Sequence, residues 1–381
     1  METFETRWRQ LDWDDAGLQI NAKTPGDVER ALNADRLSRQ DFMALLSPAA
    51  LPYIEPLAQR AQQLTRQRFG NVVGFYLPLY LSNLCANDCT YCGFSMSNRL
   101  KRKTLDEREI INECEAIKAK GFDNLLLVTG EHKTKVGMDY FRRYVPLIRS
   151  YFSSLMMEVQ PLSQQDYAEL KTLGLDGVMV YQETYHEATY HRHHLRGQKM
   201  DFFWRLATPD RLARAGIDKI GLGALIGLSD NWRTDCYMVA EHLLYLQKTY
   251  WQSRYSLSFP RLRPCAGGIT PASLMNESQL LQVMCAFRLL APDVELSLST
   301  RESPFFRDNA VPIMVNSVSA GSKTQPGGYA GGTPELEQFE PHDNRSPQEV
   351  AQMLLRAGLQ PVWKDWDGYL GRVSSSGSLC E

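Results

Sequence analysis

Cys85, Cys89 and Cys92 stand four and three residues apart in the stretch CANDCTYC, directly after an apolar run that ends near Leu81. Thiolates at such short spacing bind soft metals, chiefly zinc or iron–sulfur clusters. The number of ligands separates the two. A structural zinc site is closed by four protein ligands, and no fourth stands nearby, although a distant histidine could supply one. Three thiolates on a cubane of four irons leave one iron open for a small ligand. The spacing therefore points to a [4Fe–4S] cluster on Cys85, Cys89 and Cys92, with Tyr91 placed to cover it or to meet a ligand bound there. The other five cysteines, at 114, 236, 265, 285 and 380, are scattered. They suit small buried hydrophobes in a reducing compartment better than a disulfide framework.

The elements that must position these thiols have a βα rhythm. Short β-rich apolar runs at 72–81, 124–128, 155–159, 177–181, 219–225, 254–259, 294–299 and 311–318 alternate with amphipathic stretches such as 106–120, 138–151, 163–173 and 235–250. About eight such units predict a closed (β/α)8 barrel, with a doubly wound open sheet as the other arrangement. Residues 1–70 read as a helical extension. Thr24-Pro25 and Ser38 act as helix starts, and a longer helix from about Leu51 to Phe69 stops at Gly70. The expected division is 1–70 for this extension, 71–325 for the barrel, and 326–381 for a Gly/Pro-rich loop and then a helix that starts at Ser346-Pro347.

Bulk properties exclude several classes. The chain has 381 residues, 43% hydrophobic and 23% charged, with a formal charge of −2. That is a soluble globular balance with no general attraction for nucleic acid or anionic lipid. No run approaches the length of a membrane span, and the N-terminus lacks the basic start and apolar core of a signal peptide. A cytoplasmic protein is expected.

Barrels collect function at the C-terminal ends of their strands. Those ends carry Gly130 and Glu131, Glu158 and Gln160, Gln182 and Thr184, and Ile226. The later ones carry Arg261 and Arg263, Arg301, and Ser319 and Ser322. The three arginines would face one mouth and fork onto a carboxylate, with Ser319, Ser322 and Lys323 adding hydrogen bonds. The plain alternative for any of them is an ion pair with Glu302. The histidines of HRHH (His191, His193, His194) fall in a polar stretch read as a solvated connector, and no metal is assigned to them.

CxxxCxxC with an aromatic before the last cysteine resembles the radical S-adenosylmethionine (SAM) superfamily. The resemblance implies a cluster whose open iron chelates the amino and carboxylate groups of SAM. Reductive cleavage then yields a 5′-deoxyadenosyl radical. Thr129-Gly130-Glu131 is similar to the family's GGE element, which receives the SAM ammonium, with Thr129 in place of its first glycine. By the same likeness Glu158, Gln160, Gln182 and Thr184 would hold the ribose, Arg205 the SAM carboxylate, and Ile226 the adenine.

VQPL, YQETYH, SFPRLRP, STRE and SAGSKT, in this order, narrow the likeness to the tyrosine lyases of thiamine thiazole formation. That branch cleaves L-tyrosine to 2-iminoacetate and p-cresol. It passes the imine to a thiazole synthase and takes electrons from a carrier such as flavodoxin or ferredoxin. A related tyrosine lyase of hydrogenase maturation makes carbon monoxide and cyanide, and carries a C-terminal extension with three cysteines. The tail here contains only Cys380. The expectation outside this branch is a non-catalytic metal-binding scaffold.

Overall fold

In a computed structural model, residues 3–331 and 337–364 are described. Cys380 and parts of the Gly/Pro-rich loop lie outside them. Eight parallel strands form the barrel: β1 Val72–Ser82, β2 Asn124–Thr129, β3 Ser154–Glu158, β4 Gly177–Met179, β5 Lys219–Gly223, β6 Arg254–Ser258, β7 Glu295–Leu298 and β8 Ser317–Ser319. Each strand pairs with the next. The barrel closes where Gly74, Phe75 and Tyr76 of β1 lie opposite Ser317, Val318 and Ser319 of β8.

Strands buried on both faces read as continuous apolar runs, and the side-chain period of two decides which residue faces which way. Leu126, Val128, Met156 and Met179 point into the barrel and pack with Tyr80 and Phe94. Their neighbours Leu125, Leu127, Leu155, Met157 and Val178 join the larger core under the helices. The helices start where the sequence supplies caps. Asp106, Ser163, Asn276 and Ser346 each close a reciprocal capping box, and so do Thr24 and Ser38 in the N-terminal extension.

The eighth run needs a correction. Val311 belongs to the helix Pro304–Met314, and the strand is confined to Ser317–Ser319. Ser303 accepts from Phe306 N ahead of Pro304, a start signal masked by the apolar character of the helix itself. Beyond the barrel, Gln360–Val362 adds a parallel strand to the foot of β1, and Trp363 stacks on Phe75 with ring centroids 4.6 Å apart.

The N-terminal extension has two helices that the sequence reading did not separate, Phe4–Trp8 and Trp13–Asn21, ahead of Pro25–Asn33, Arg39–Leu46 and Ile54–Phe69. Among its polar docking points is one buried carboxylate that takes several donors. Glu241, fully buried on the helix Trp232–Thr249, accepts from Arg7 Nε (3.0 Å), Arg39 Nε (2.5 Å) and Tyr237 Oη (3.0 Å). At the adjacent position, Phe4 stacks on His242 at 3.8 Å. Among the described residues, no helix is long and apolar enough to cross a membrane.

Glu241→Ala removes the acceptor shared by two arginines that are themselves partly solvated. The expected loss is about 2 kcal/mol, the scale of hydrogen bonds to a charged group. It would be read as a lower urea midpoint, with faster native-state proteolysis of the N-terminal extension. An unchanged midpoint would show that the extension is held by its other contacts and not by Glu241.

Candidate active site

After β1 the chain turns into the cysteine segment, which has little regular structure and is fixed by its neighbours. Asp88–Cys89 pairs antiparallel with His194–Arg196. Ala86 N donates to Glu131 O (2.8 Å), and Cys89 N to Ser95 Oγ (3.0 Å). Two glycines permit the approach. A Cβ on Gly130 would sit 2.4 Å from Leu84 O, and one on Gly197, at φ 86°, would sit 2.1 Å from Asn87 Oδ1.

Cys85, Cys89 and Cys92 line one end of a cavity that opens at the strand C-termini. Among the described residues, no three His, Cys, Asp or Glu side chains converge on the point one metal ion would occupy. The three thiols do line one shared space at the strand ends. Burial pushes Cys85 up to about 11 and raises Cys89 as well. Thiolates here require metal charge, which displaces the protons as it binds.

The rim from β2 to β4 is rich in acceptors. Glu131 accepts from Asn87 Nδ2 (2.6 Å) and Arg205 Nη1 (3.1 Å). Glu183 Oε1 accepts from Lys199 Nζ (2.7 Å) and Arg205 Nη2 (3.4 Å), while Arg205 Nε donates to Tyr181 O (2.7 Å). Glu183 has φ 72°, the only positive φ outside glycine among the described residues. Strained backbone of this kind persists where surrounding contacts over-determine it. Burial opposes the Glu183 charge, but Lys199 and Arg205 hold its pKa below the usual value. Glu158 faces the same space, and burial, with Glu183 nearby, pushes it up to about 7 against the weaker pull of Arg301, Lys199 and Arg205.

Tyr91 also lines the cavity. Its hydroxyl lies 2.7 Å from His194 Nε2, and His194 Nδ1 lies 2.6 Å from Tyr190 O. A carbonyl only accepts, so Nδ1 carries the proton and Nε2 accepts from Tyr91. Burial keeps the ring neutral by lowering its pKa well below the ordinary value. HRHH is therefore only partly solvated, with His191 and Arg192 exposed. It ends the helix Glu187–His193 and enters the strand His194–Arg196, with His194 buried and His193 Nδ1 2.7 Å from Thr90 Oγ1.

The rim from β6 to β8 is cationic and rich in hydroxyls. Arg263, Arg301, Ser258, Ser299, Ser319 and Ser322 line it. Arg263 Nε and Ser322 Oγ are buried with no hydrogen-bond partner in the protein, and the Arg301 guanidinium lies 3.5 Å over the Phe339 ring centroid. Arg261 does not join them. It points away from the cavity and pairs through Nε and Nη2 with Glu302, with Nη1 on Met275 O. Lys323 is exposed and does not line the cavity either.

Four further expectations fail, three of them on side-chain parity. Met179, Tyr181 and Glu183 alternate inward, so Gln182 and Thr184 face outward. Gln182 donates to Phe202 O, and Thr184 lies 3.0 Å from both Asp235 carboxylate oxygens. Gly223 and Leu225 leave Ile226 in the outer core. Gln160 turns behind the rim after β3 ends and donates to Val136 O (2.9 Å). The sequence reading missed Asn87, Glu183 and Lys199. For Glu183 the signal was present, because extending the inward register of Met179 by two steps of two reaches it.

Two family profiles match this chain: the Radical SAM superfamily over residues 79–237 and the Biotin and Thiamin Synthesis associated domain over 258–360. A 2-iminoacetate synthase of Salmonella typhimurium is 75% identical over 376 residues, covering 99% of this chain and 100% of that protein. The structure is similar to that of the FeFe-hydrogenase maturase HydG from Carboxydothermus hydrogenoformans, with a TM-score of 0.82 and 30% identity over 89% of this chain and 78% of that one. A methylornithine synthase (PylB) shares the fold, with a TM-score of 0.68 and 20% identity over 88% of this chain and 97% of that one. With its thiols, its barrel and a near full-length match of this closeness, the chain belongs to the 2-iminoacetate synthase family of the radical SAM superfamily.

Proposed function

We propose that the protein cleaves the Cα–Cβ bond of L-tyrosine to 2-iminoacetate and p-cresol, converting SAM to methionine and 5′-deoxyadenosine. The observation that carries this reading is the chemical partition of one rim. The β2–β4 side presents Glu131, Glu158 and Glu183 as acceptors, and the β6–β8 side presents Arg263 and Arg301 among hydroxyls, with Glu302 occupied by Arg261. A ligand with an ammonium and a sulfonium, such as SAM, suits the first side. The carboxylate of an amino acid suits the second.

A reduced cluster held by the three thiols would supply the single electron for reductive cleavage of SAM. The protein's part is placement. Cys85, Cys89 and Cys92 hold the irons, and Gly130-Glu131 receives the SAM ammonium. Arg205 fixes Glu131 and Glu183 with two of its N–H groups and Tyr181 O with a third, and keeps the others for the SAM carboxylate. Arg263 and Arg301 orient tyrosine by its carboxylate, with Ser319 and Ser322 beside them. Tyr76, Tyr80, Tyr181 and Phe94 wall the cavity and keep water from the reacting carbons.

Water exclusion matters because an imine hydrolyses, so direct transfer to a thiazole synthase partner suits the product's chemistry. A one-electron carrier of the flavodoxin or ferredoxin type is the reductant in this reading, and the cytoplasm is the compartment.

Anaerobic protein with tyrosine, SAM and dithionite is expected to give p-cresol and glyoxylate, the hydrolysis product of the imine, with one 5′-deoxyadenosine per turnover. Carbon monoxide and cyanide in their place, or turnover of tryptophan and not tyrosine, would overturn the assignment. Alanine at any one of Cys85, Cys89 or Cys92 should leave protein without the brown cluster absorbance or 5′-deoxyadenosine formation, whereas Cys114→Ala keeps both. Arg301→Gln should raise the KM for tyrosine about tenfold, the worth of one charge-assisted hydrogen bond of ~1.5 kcal/mol, while changing that for SAM little. Glu131→Gln should do the reverse, and a matching response of both KM values in both variants would refute the partition.

A further inference from the structure

The long segment after β8 re-enters the active site at Gln338. Its backbone N–H donates to Thr324 O (2.9 Å), and its carbonyl lies 2.4 Å from where a Cβ on Gly93 would stand. No side chain fits at position 93 beneath it. The Gln338 side chain lies between two groups of the cavity wall. Oε1 is 2.8 Å from Tyr80 Oη, and Nε2 is 3.7 Å from Cys92 Sγ. The adjacent Phe339 lies under the Arg301 guanidinium, which holds this part of the segment over the cavity.

The two ends of the amide are not interchangeable here. A phenol hydroxyl can donate or accept, but a metal-bound thiolate only accepts. The NH2 group must therefore face Cys92, and the carbonyl oxygen must take the Tyr80 proton. Tyr80 is itself buried, so its hydroxyl is not drawn away by solvent. The result is a Tyr80–Gln338–Cys92 relay of two hydrogen bonds that ends on a cluster ligand.

We propose that Gln338 is a positioning residue of the cluster: its N–H···S hydrogen bond to Cys92, oriented by Tyr80, makes the cluster easier to reduce. Reduction adds one electron to the iron–sulfur core and increases the negative charge on its sulfurs. A donor aimed at a cysteine sulfur stabilises that charge more in the reduced than in the oxidised state, which raises the potential. Low local polarity strengthens the effect. The electron itself comes from an external one-electron reductant, and no bond in the protein is made or broken.

The test is a potentiometric titration of the reconstituted holoenzyme under argon, tracking the reduced-cluster EPR signal. Gln338→Leu should move the midpoint to a more negative potential, and Gln338→Glu should move it further the same way. Tyr80→Phe keeps the amide but removes its orienting donor, and a smaller negative shift is expected. Midpoints equal to wild type in Gln338→Leu and Tyr80→Phe, at full iron and sulfide content, would overturn the proposal. If Gln338→Leu does not retain its cluster, Tyr80→Phe decides alone. The measurement depends on the cluster and not on the substrate, so an error in the tyrosine assignment would appear in the products and leave these midpoints where they are.

Discussion

One guanidinium organises the site. Arg102 Nη1 donates to Asn83 O and Phe94 O (2.8 Å each), and Nη2 to Ser95 O (2.6 Å) and Asn98 O (3.3 Å). These carbonyls come from both flanks of the cysteine segment, so the side chain ties its beginning to its end. Such a tie is needed because the segment has almost no ladder of its own, and partly buried carbonyls must find donors. Burial lowers the Arg102 pKa while the nearby thiols Cys85 and Cys92 work to raise it. The same cation favours the thiolate form that binding iron requires. Asp88 completes the fold of the loop by accepting from Ser95 Oγ (2.5 Å) and Ser97 Oγ (2.7 Å).

From this loop the order spreads around the rim through carboxylates and cations that share partners. Asn87 reaches from the cysteine segment to Glu131, Arg205 joins Glu131 to Glu183, and Lys199 pins Glu183. Lys199 N donates back to Asn87 Oδ1 (3.1 Å), which closes the circuit. These charges are largely buried, and a buried charge is tolerable only when paired and hydrogen-bonded. Removing one member leaves the others unsatisfied, so the network sets positions more than it adds stability. The left-handed backbone at Glu183 fits this view. Its cost of roughly 1–3 kcal/mol is offset by two cations that fix the carboxylate at the cavity edge.

Much of this was legible in the sequence, and the rest was hidden for physical reasons. The cysteine spacing, the βα rhythm and the caps at Thr24, Ser38 and Ser346 are local signals, and the structure contains them at those places. Residues at strand ends were harder, because the direction of a side chain depends on a register that a single residue can shift. Thr184 and Ile226 each sit one step out of phase with the cavity. Arg261 and Arg263 look equivalent in RLR, yet one meets Glu302 and the other the cavity, which depends on contacts about forty residues away. His194 was misread because polar composition implied solvent, whereas strand pairing with Cys89 and the Tyr91 hydroxyl give it buried partners.

The Gly/Pro-rich segment shows the same limit most clearly, and it also explains why so long a connection is kept. Its composition signals a loop and nothing about the groups the loop touches. Contact with Tyr80 and Cys92 joins residues about 250 positions apart in the chain, a separation at which no local pattern survives. A barrel whose strands already present charge and hydroxyls still lacks a roof, since strand ends can line a cavity but cannot cover it. Gln338 and Phe339 supply that cover from the far end of the chain. Phe339 is apolar where water must be kept out, and Gln338 is polar where a sulfur needs a donor. Where these two residues lie over the cavity, the hydrogen bonds to Tyr80 and Cys92 compete less with water and keep more of their strength.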